Sequence, residues 1–287
     1  MFKRQLGMRD DIMNEFLSYC LVGEDITHSF SPSIYNTIFD MLKYEAVYFP
    51  FPVAKDRLLS ALPILRMEFA GFNTTAPFRR DIMPHLDETD ETAKKAGTAN
   101  TIVVKDEKLI GYNTETESFR RSLIGFTGDL HDKDILLVGA GGVARSVASV
   151  LLDKGAFLTL VSRNEDHAAA LKENLQEKYH KNRLKTIKGL SEPDEFYAVF
   201  NTAKVDLGGK ASDIYIHPHT YQSFKYAYDT SYVPTEFLKK AQSYGAKTRN
   251  GLDMLFYQTV ISVNLWTGQE MAPSAIEDAH RKVMALF

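Results

Sequence analysis

The chain has 287 residues, is 44% apolar and 25% charged, and carries a formal net charge of −3. That length suffices for two domains of about 100–150 residues each, and the charge balance gives no basis for binding nucleic acid or an anionic membrane surface. A single cysteine, Cys20, excludes an internal disulfide or thiolate cluster; no apolar run reaches the roughly 18 residues of a membrane span, and the first 16 residues lack the apolar core of a signal peptide, so a cytoplasmic enzyme or ligand-binding protein is expected.

In chain order, SYCLVG (18–23) reads as a strand. Residues 33–43 read as a helix, because Ile34, Ile38 and Leu42 recur at four-residue spacing and Pro32 suits the first turn. A strand at 46–51, a helix at 54–62 and a strand at 68–73 follow. The stretch FNTTAPFRRDI (72–82) reads as a strand end turning through Pro77 into a helix that carries Arg79 and Arg80. Segments 98–104 and 108–113, separated by Lys105, Asp106 and Glu107, read as a hairpin. A helix over 114–125 leads to a second alternation. Strands at 134–139 and 157–162 alternate with helices at 142–154 and 165–179, and further strands lie at 198–202 and 226–231. The basic run 178–185 reads as a solvated helix end and loop. The tail, 251–287, has helical patterning throughout and is expected to pack back on the first half. This alternation predicts an α/β protein with mostly parallel sheets.

The clearest chemistry lies in DILLVGAGGVARSVASVLLDKG (134–155). A buried strand runs into Gly139, Ala140, Gly141 and Gly142 and then into a helix, with Ala144 where a third glycine would stand. Glycines let backbone N–H groups approach a pyrophosphate, and the helix N-terminus adds partial positive charge. The next strand ends at Ser162, Arg163 and Asn164, without the acidic residue that binds the ribose of NAD. A guanidinium at Arg163 matches a 2′-phosphate, which favours NADP over NAD. In GEDITHSFSPSIYN (23–36), Ser29 and Ser31 precede a helix, where hydroxyls suit either a carboxylate ligand or helix capping by Ser31. His217 and His219 are two apart but have no acidic or cysteine partner nearby, so no metal is expected.

With GFNTTAPFRR, AGTANTI, GYNTE, SRN and GLDMLFYQ…WTG in the same order, these segments make the chain resemble the shikimate dehydrogenase family over roughly residues 19–268. The resemblance implies two domains: 1–115 with 251–287 as the substrate-binding, catalytic α/β domain, and 116–250 as a Rossmann domain for NADP. It implies hydride transfer between NADP(H) and 3-dehydroshikimate/shikimate or a close relative, in a monomer or homodimer. Carried over by position, Ser29 and Ser31 would hold the substrate carboxylate, and Thr75, Asn100, Tyr232 and Gln258 would contact the rest of the substrate. Gly139, Ala140, Gly141, Gly142, Ala144, Ser162, Arg163 and Asn164 would hold the nucleotide, with Met254 beside the nicotinamide.

Two departures touch the expected catalytic pair. Arg79 stands where the family has lysine, and Glu115 where it has aspartate. A desolvated lysine can shuttle a proton, whereas arginine stays protonated and can only stabilise an oxyanion. Altered or reduced turnover is therefore expected, and binding without useful turnover is the alternative. Thr98, Ser118 and Asp25 replace the family's usual alanine, glycine and proline, and His167 replaces a second basic residue near the 2′-phosphate.

Overall fold

The computed structural model describes residues 16–189, 192–203 and 216–287. Of the first 16 residues, in which no signal-peptide core is read, residues 1–15 lie outside them. The chain divides into two compact units, residues 1–114 with 259–287 and residues 115–258.

The first unit is built on a six-stranded mixed sheet. Its strands are β1 (Leu17–Gly23), β2 (Ala46–Pro52), β3 (Gly71–Thr74), β4 (Glu88–Thr89), β5 (Thr101–Lys105) and β6 (Lys108–Tyr112), in the order β2-β1-β3-β5-β6-β4. Strands β1, β2 and β3 run parallel, while β3–β5 and β5–β6 are antiparallel. Pro50 and Pro52 are tolerated because β2 lies at the sheet edge. The expected hairpin forms with Lys105 opposite Lys108, and the two turn residues Asp106 and Glu107 have φ of 50° and 60°.

Alternate side chains of β1 feed two layers. Cys20 and Val22 pack with Phe72, Ile102 and the Leu58, Leu62 and Leu65 face of α2 (Leu58–Glu68). Tyr19 packs on Phe39 of α1 (Ser31–Leu42) and stacks on Trp266 at 4.4 Å. Trp266 belongs to α10 (Leu252–Thr267), and α11 (Pro273–Met284) contacts α1, so residues 259–287 pack on the first sheet and its helix, while Met254 near the start of α10 packs in the core of the second unit. The helix expected at 54–62 instead runs from Leu58 to Glu68, through Pro63. Burial of Leu58, Ala61, Leu62 and Leu65 along one face outweighs the hydrogen bond that Pro63 cannot make.

The second unit is a fully parallel sheet in the order β12-β11-β10-β7-β8-β9. Its strands are β7 (Asp134–Val138), β8 (Phe157–Val161), β9 (Leu184–Ile187), β10 (Ala198–Asn201), β11 (Tyr226–Asp229) and β12 (Lys247–Arg249). Strand order reverses between β7 and β10, the place where doubly wound sheets bind ligands. Ile135 and Leu137 face Val147, Leu151 and Leu171 of α6 (Gly142–Asp153) and α7 (Glu165–Gln176). Leu136 and Val138 face the opposite layer with Tyr221 and Leu238 of α8 (Pro218–Ser223) and α9 (Glu236–Ser243). Burial on both faces explains why these strands read as continuous apolar runs.

The run 178–185 is not simply a solvated loop. It contains a 3₁₀ turn, and β9 begins at Leu184, which is buried. Arg183 donates to Asp132 and to the Gly155 carbonyl, so part of that charge is structural. His217 Nδ1 accepts the N–H of His219 at 3.1 Å and caps α8. No described helix is long and apolar enough to cross a membrane.

Candidate functional site

In the first unit the candidate residues gather at the ends of β1, β3 and β5. Gly23 ends β1, and a Cβ there would lie 2.5 Å from Thr75 Cγ2 and 2.4 Å from Ile26 Cγ2. Glycine thus permits the loop after β1 and the turn after β3 to approach one another. Ser29 and Ser31 follow in that loop. Helix α1 starts at Ser31 itself, and Ser29 Oγ accepts the Ser31 N–H at 3.2 Å. The capping read for Ser31 is not made: Phe30 takes the N-cap position without a side-chain cap. Ser31 is buried and Ser29 half-buried.

Thr75 donates its N–H to the Val22 carbonyl at 3.0 Å and accepts from Phe78 N–H at 2.8 Å. This turn starts α3 (Phe78–Asp81), which is anchored by the fully buried Phe78. Arg79 is half-buried, and its carbonyl accepts the Ala99 N–H at 2.9 Å, tying α3 to the approach of β5.

Asn100 is buried, and its amide grips Thr114: Oδ1 accepts the Thr114 N–H at 2.8 Å, and Nδ2 donates to Thr114 Oγ1 at 2.9 Å. The next residue in the chain, Glu115, is 2% exposed and opens α5 (Glu115–Ser122). An acidic side chain in a helix's first turn is favoured by the helix dipole. Ser118, at a family glycine position, donates its hydroxyl to the Glu115 carbonyl at 2.9 Å.

Three supporting residues were not read as site residues from sequence. Buried Asn73 accepts from Tyr48 Oη at 2.9 Å and donates to the Asn100 carbonyl at 2.9 Å and Thr101 Oγ1 at 3.0 Å. Asn113 donates to the Thr98 hydroxyl at 2.9 Å, and its N–H goes to Thr92 Oγ1 at 2.8 Å. Thr98 thus supplies a hydroxyl that an alanine would lack. The available signal was an amide side chain inside an apolar strand, which must find partners when buried.

In the second unit the glycine loop follows β7 at the strand-order reversal. Gly139 has φ +101°, donates to the Val161 carbonyl at 2.8 Å, and a Cβ there would meet Thr202 Oγ1 at 2.7 Å and Ala203 N at 3.0 Å. At Gly141 and Gly142, both exposed, an added Cβ would meet nothing within 4 Å. Gly141 is the N-cap of α6, with no side chain satisfying the first N–H groups. Ala144 is fully buried against the sheet, and Ala140 packs beside it. After β8, Ser162 Oγ accepts the Asn164 N–H at 3.3 Å, and Asn164 Oδ1 accepts from His167 N–H at 2.9 Å to cap α7. Both side chains shape the turn that exposes Arg163. An anionic group would find bare backbone donors at one strand end and a guanidinium at the next.

Met254 is 5% exposed and sits in the core of the second unit, while Gln258, one turn on, is half-buried. Tyr232 is 38% exposed in the turn after β11, where its carbonyl accepts from Asn250 Nδ2 at 3.2 Å.

Comparison with known proteins identifies the family. The shikimate dehydrogenase substrate binding domain matches residues 21–102, and shikimate / quinate 5-dehydrogenase matches residues 123–199. A shikimate dehydrogenase (NADP(+)) of Methanococcus maripaludis is 36% identical, covering 87% of this chain and 91% of the relative. That of Bacillus anthracis is 34% identical over 87% and 92% of the two chains. Among solved structures, Aquifex aeolicus shikimate dehydrogenase superimposes with a TM-score of 0.82 at 31% identity, covering 94% of this chain and 99% of that one. The Thermus thermophilus shikimate 5-dehydrogenase complex with NADP(H) and shikimate gives 0.80 at 29% identity, covering 93% and 99%. The chain belongs to the shikimate dehydrogenase family.

Proposed function

We propose that the protein is an NADP-dependent oxidoreductase that moves hydride between the nucleotide and a carboxylated cyclic polyol of the shikimate type. The observation that carries this reading is the glycine loop at the strand-order reversal, together with Arg163 at the next strand end. The open faces of Gly141 and Gly142 and the uncapped start of α6 suit a pyrophosphate. Arg163 suits a 2′-phosphate. When bound, NADP supplies the hydride acceptor or donor.

The chain's own residues do the remaining work. Ser29 and Ser31 present hydroxyl groups to the substrate carboxylate. Asn100 uses one amide hydrogen on Thr114 and has a second for a ring hydroxyl, while Thr75, Gln258 and Tyr232 complete substrate contact. Arg79 orients the reacting hydroxyl and stabilises the oxyanion that forms on it. It does not exchange the proton, because arginine remains charged through the working pH range. The Glu115 carboxylate is the protein acceptor left for that proton in the oxidising direction.

Initial rates with NADP⁺ and NAD⁺, each against shikimate and quinate, test the reading. Reduction of NADP⁺ faster than NAD⁺, with either acid, is the expected result. Saturable NADP⁺ binding without turnover on either acid would favour binding alone.

A further inference from the structure

Behind the exposed Tyr232 turn lies a buried carboxylate to which no role has so far been given. Asp229 ends β11 and is fully buried. Its Oδ2 accepts Asn201 Nδ2 at 3.0 Å and Thr235 Oγ1 at 2.9 Å, and its Oδ1 accepts the Ser231 N–H at 2.8 Å. Ser231 and Thr235 bracket Tyr232. The turn is therefore closed from within by one side chain, at both of its ends.

Asn201 extends the tie across the sheet. Its carbonyl accepts the Thr230 N–H at 2.9 Å, and its Oδ1 accepts the Ala203 N–H at 3.1 Å. Thr202 and Ala203 are the residues against which Gly139 packs so closely that a Cβ would collide. On the other side, Gly251 N–H donates to the Ser231 carbonyl at 2.7 Å, and a Cβ at Gly251 would lie 2.4 Å from the Thr230 carbonyl oxygen. Asn250 Nδ2 reaches the Tyr232 carbonyl. The turn is thus fixed between the strand end that faces the glycine loop and the start of the helix bearing Met254 and Gln258.

We propose that Asp229 is a positioning residue for substrate recognition, holding the Tyr232 turn in register with the glycine loop through Asn201 and with α9 through Thr235. A fully buried carboxylate is costly to maintain. Burial raises its pKa, and the three hydrogen bonds partly oppose that shift. A purely apolar turn anchor would avoid the cost, but it could not accept from one backbone N–H and two side chains at one point. The proposal rests on the reading that Tyr232 faces the substrate.

Asp229→Asn tests it, since the variant keeps shape but offers one acceptor oxygen where the carboxylate had two. Thr235→Ser, which keeps the hydroxyl, is the conservative control, and Thr235→Val removes it. Asp229→Asn and Thr235→Val should each raise the substrate KM by about fivefold, the scale of a displaced hydrogen-bonding group, with the NADP⁺ Kd changed less than about twofold and Thr235→Ser near parent. In a Tyr232→Phe background the effect of Asp229→Asn should fall below about twofold, because coupled residues are non-additive. An equal fold-change in both backgrounds, or an NADP⁺ Kd that moves as far as KM, would overturn the proposal. Hydrogen exchange separates its failure from failure of the functional reading, since no turnover is required. Faster exchange across 230–236 in Asp229→Asn, with 19–22 unchanged, supports the tie, and unchanged exchange across 230–236 refutes it.

Discussion

At the scale of single residues, the proposed chemistry turns on Arg79 and Glu115. An arginine contributes charge and a fork of donors, but does not give up a proton as a general acid at neutral pH. Replacing both together, Arg79→Lys with Glu115→Asp, is expected to raise the rate of shikimate oxidation on the order of 10–100-fold, the span that a placed general acid–base supplies. A double variant no faster than parent would place the limitation elsewhere among the substrate contacts. The substituted pair was legible in the sequence because the motifs around it are retained. Its support was not. The partnership of Thr98 with Asn113, and of Asn73 with the Asn100 carbonyl, joins residues 15 and 27 positions apart. No local periodicity encodes such pairs, which appear only when β3, β5 and β6 come into register.

At the scale of elements, the glycine loop separates folding from binding. Gly139 lies at positive φ against Thr202 and Ala203, whereas Gly141 has ordinary extended geometry with open space beside it. Gly139→Ala should therefore destabilise the second unit by about 1–3 kcal/mol, the cost of a strained backbone, before any collision is counted. Gly141→Ala should leave the melting temperature at the parent value and weaken NADP⁺ binding by about tenfold, because the methyl group would enter the path proposed for the pyrophosphate. Melting curves and NADP⁺ titrations of the two variants check this; identical losses of stability would contradict it. Strand β7 and helix α6 were readable because a continuous apolar run, glycines and a helical stripe coincide. Strand β9 was not, since LKTI follows a basic stretch and buries chiefly Leu184. Helix α2 was misplaced because Pro63 reads as a breaker, and only packing on the sheet sustains the helix through it.

At the scale of the whole molecule, alternation of strands and helices made the two α/β halves and the C-terminal return legible. The mixed pairing of the first sheet was not, because β5 and β6 look locally like any other strands. Acid stability also belongs to this scale. Asp87 accepts from Arg66 and from Leu109 N–H, and these bonds hold its carboxyl below the usual range. A depressed folded-state pKa adds stability that is present above the unfolded value, near about 3.9, and lost as pH falls through the lower folded value. Asp87→Asn should therefore flatten the fall of melting temperature as pH drops below about 4, by a small amount that salt reduces, because the pair is partly exposed. Parallel curves for parent and variant would remove Asp87 from the acid response.

The proposed hydride transfer between a cyclic hydroxy acid and NADP is checked by incubating the protein with NADP⁺ and shikimate deuterated at its oxidisable carbinol carbon. Mass spectrometry of the nucleotide should then show one deuterium in the NADPH formed. Unlabelled nucleotide, from protein shown to bind NADP⁺ and shikimate together, would contradict the account.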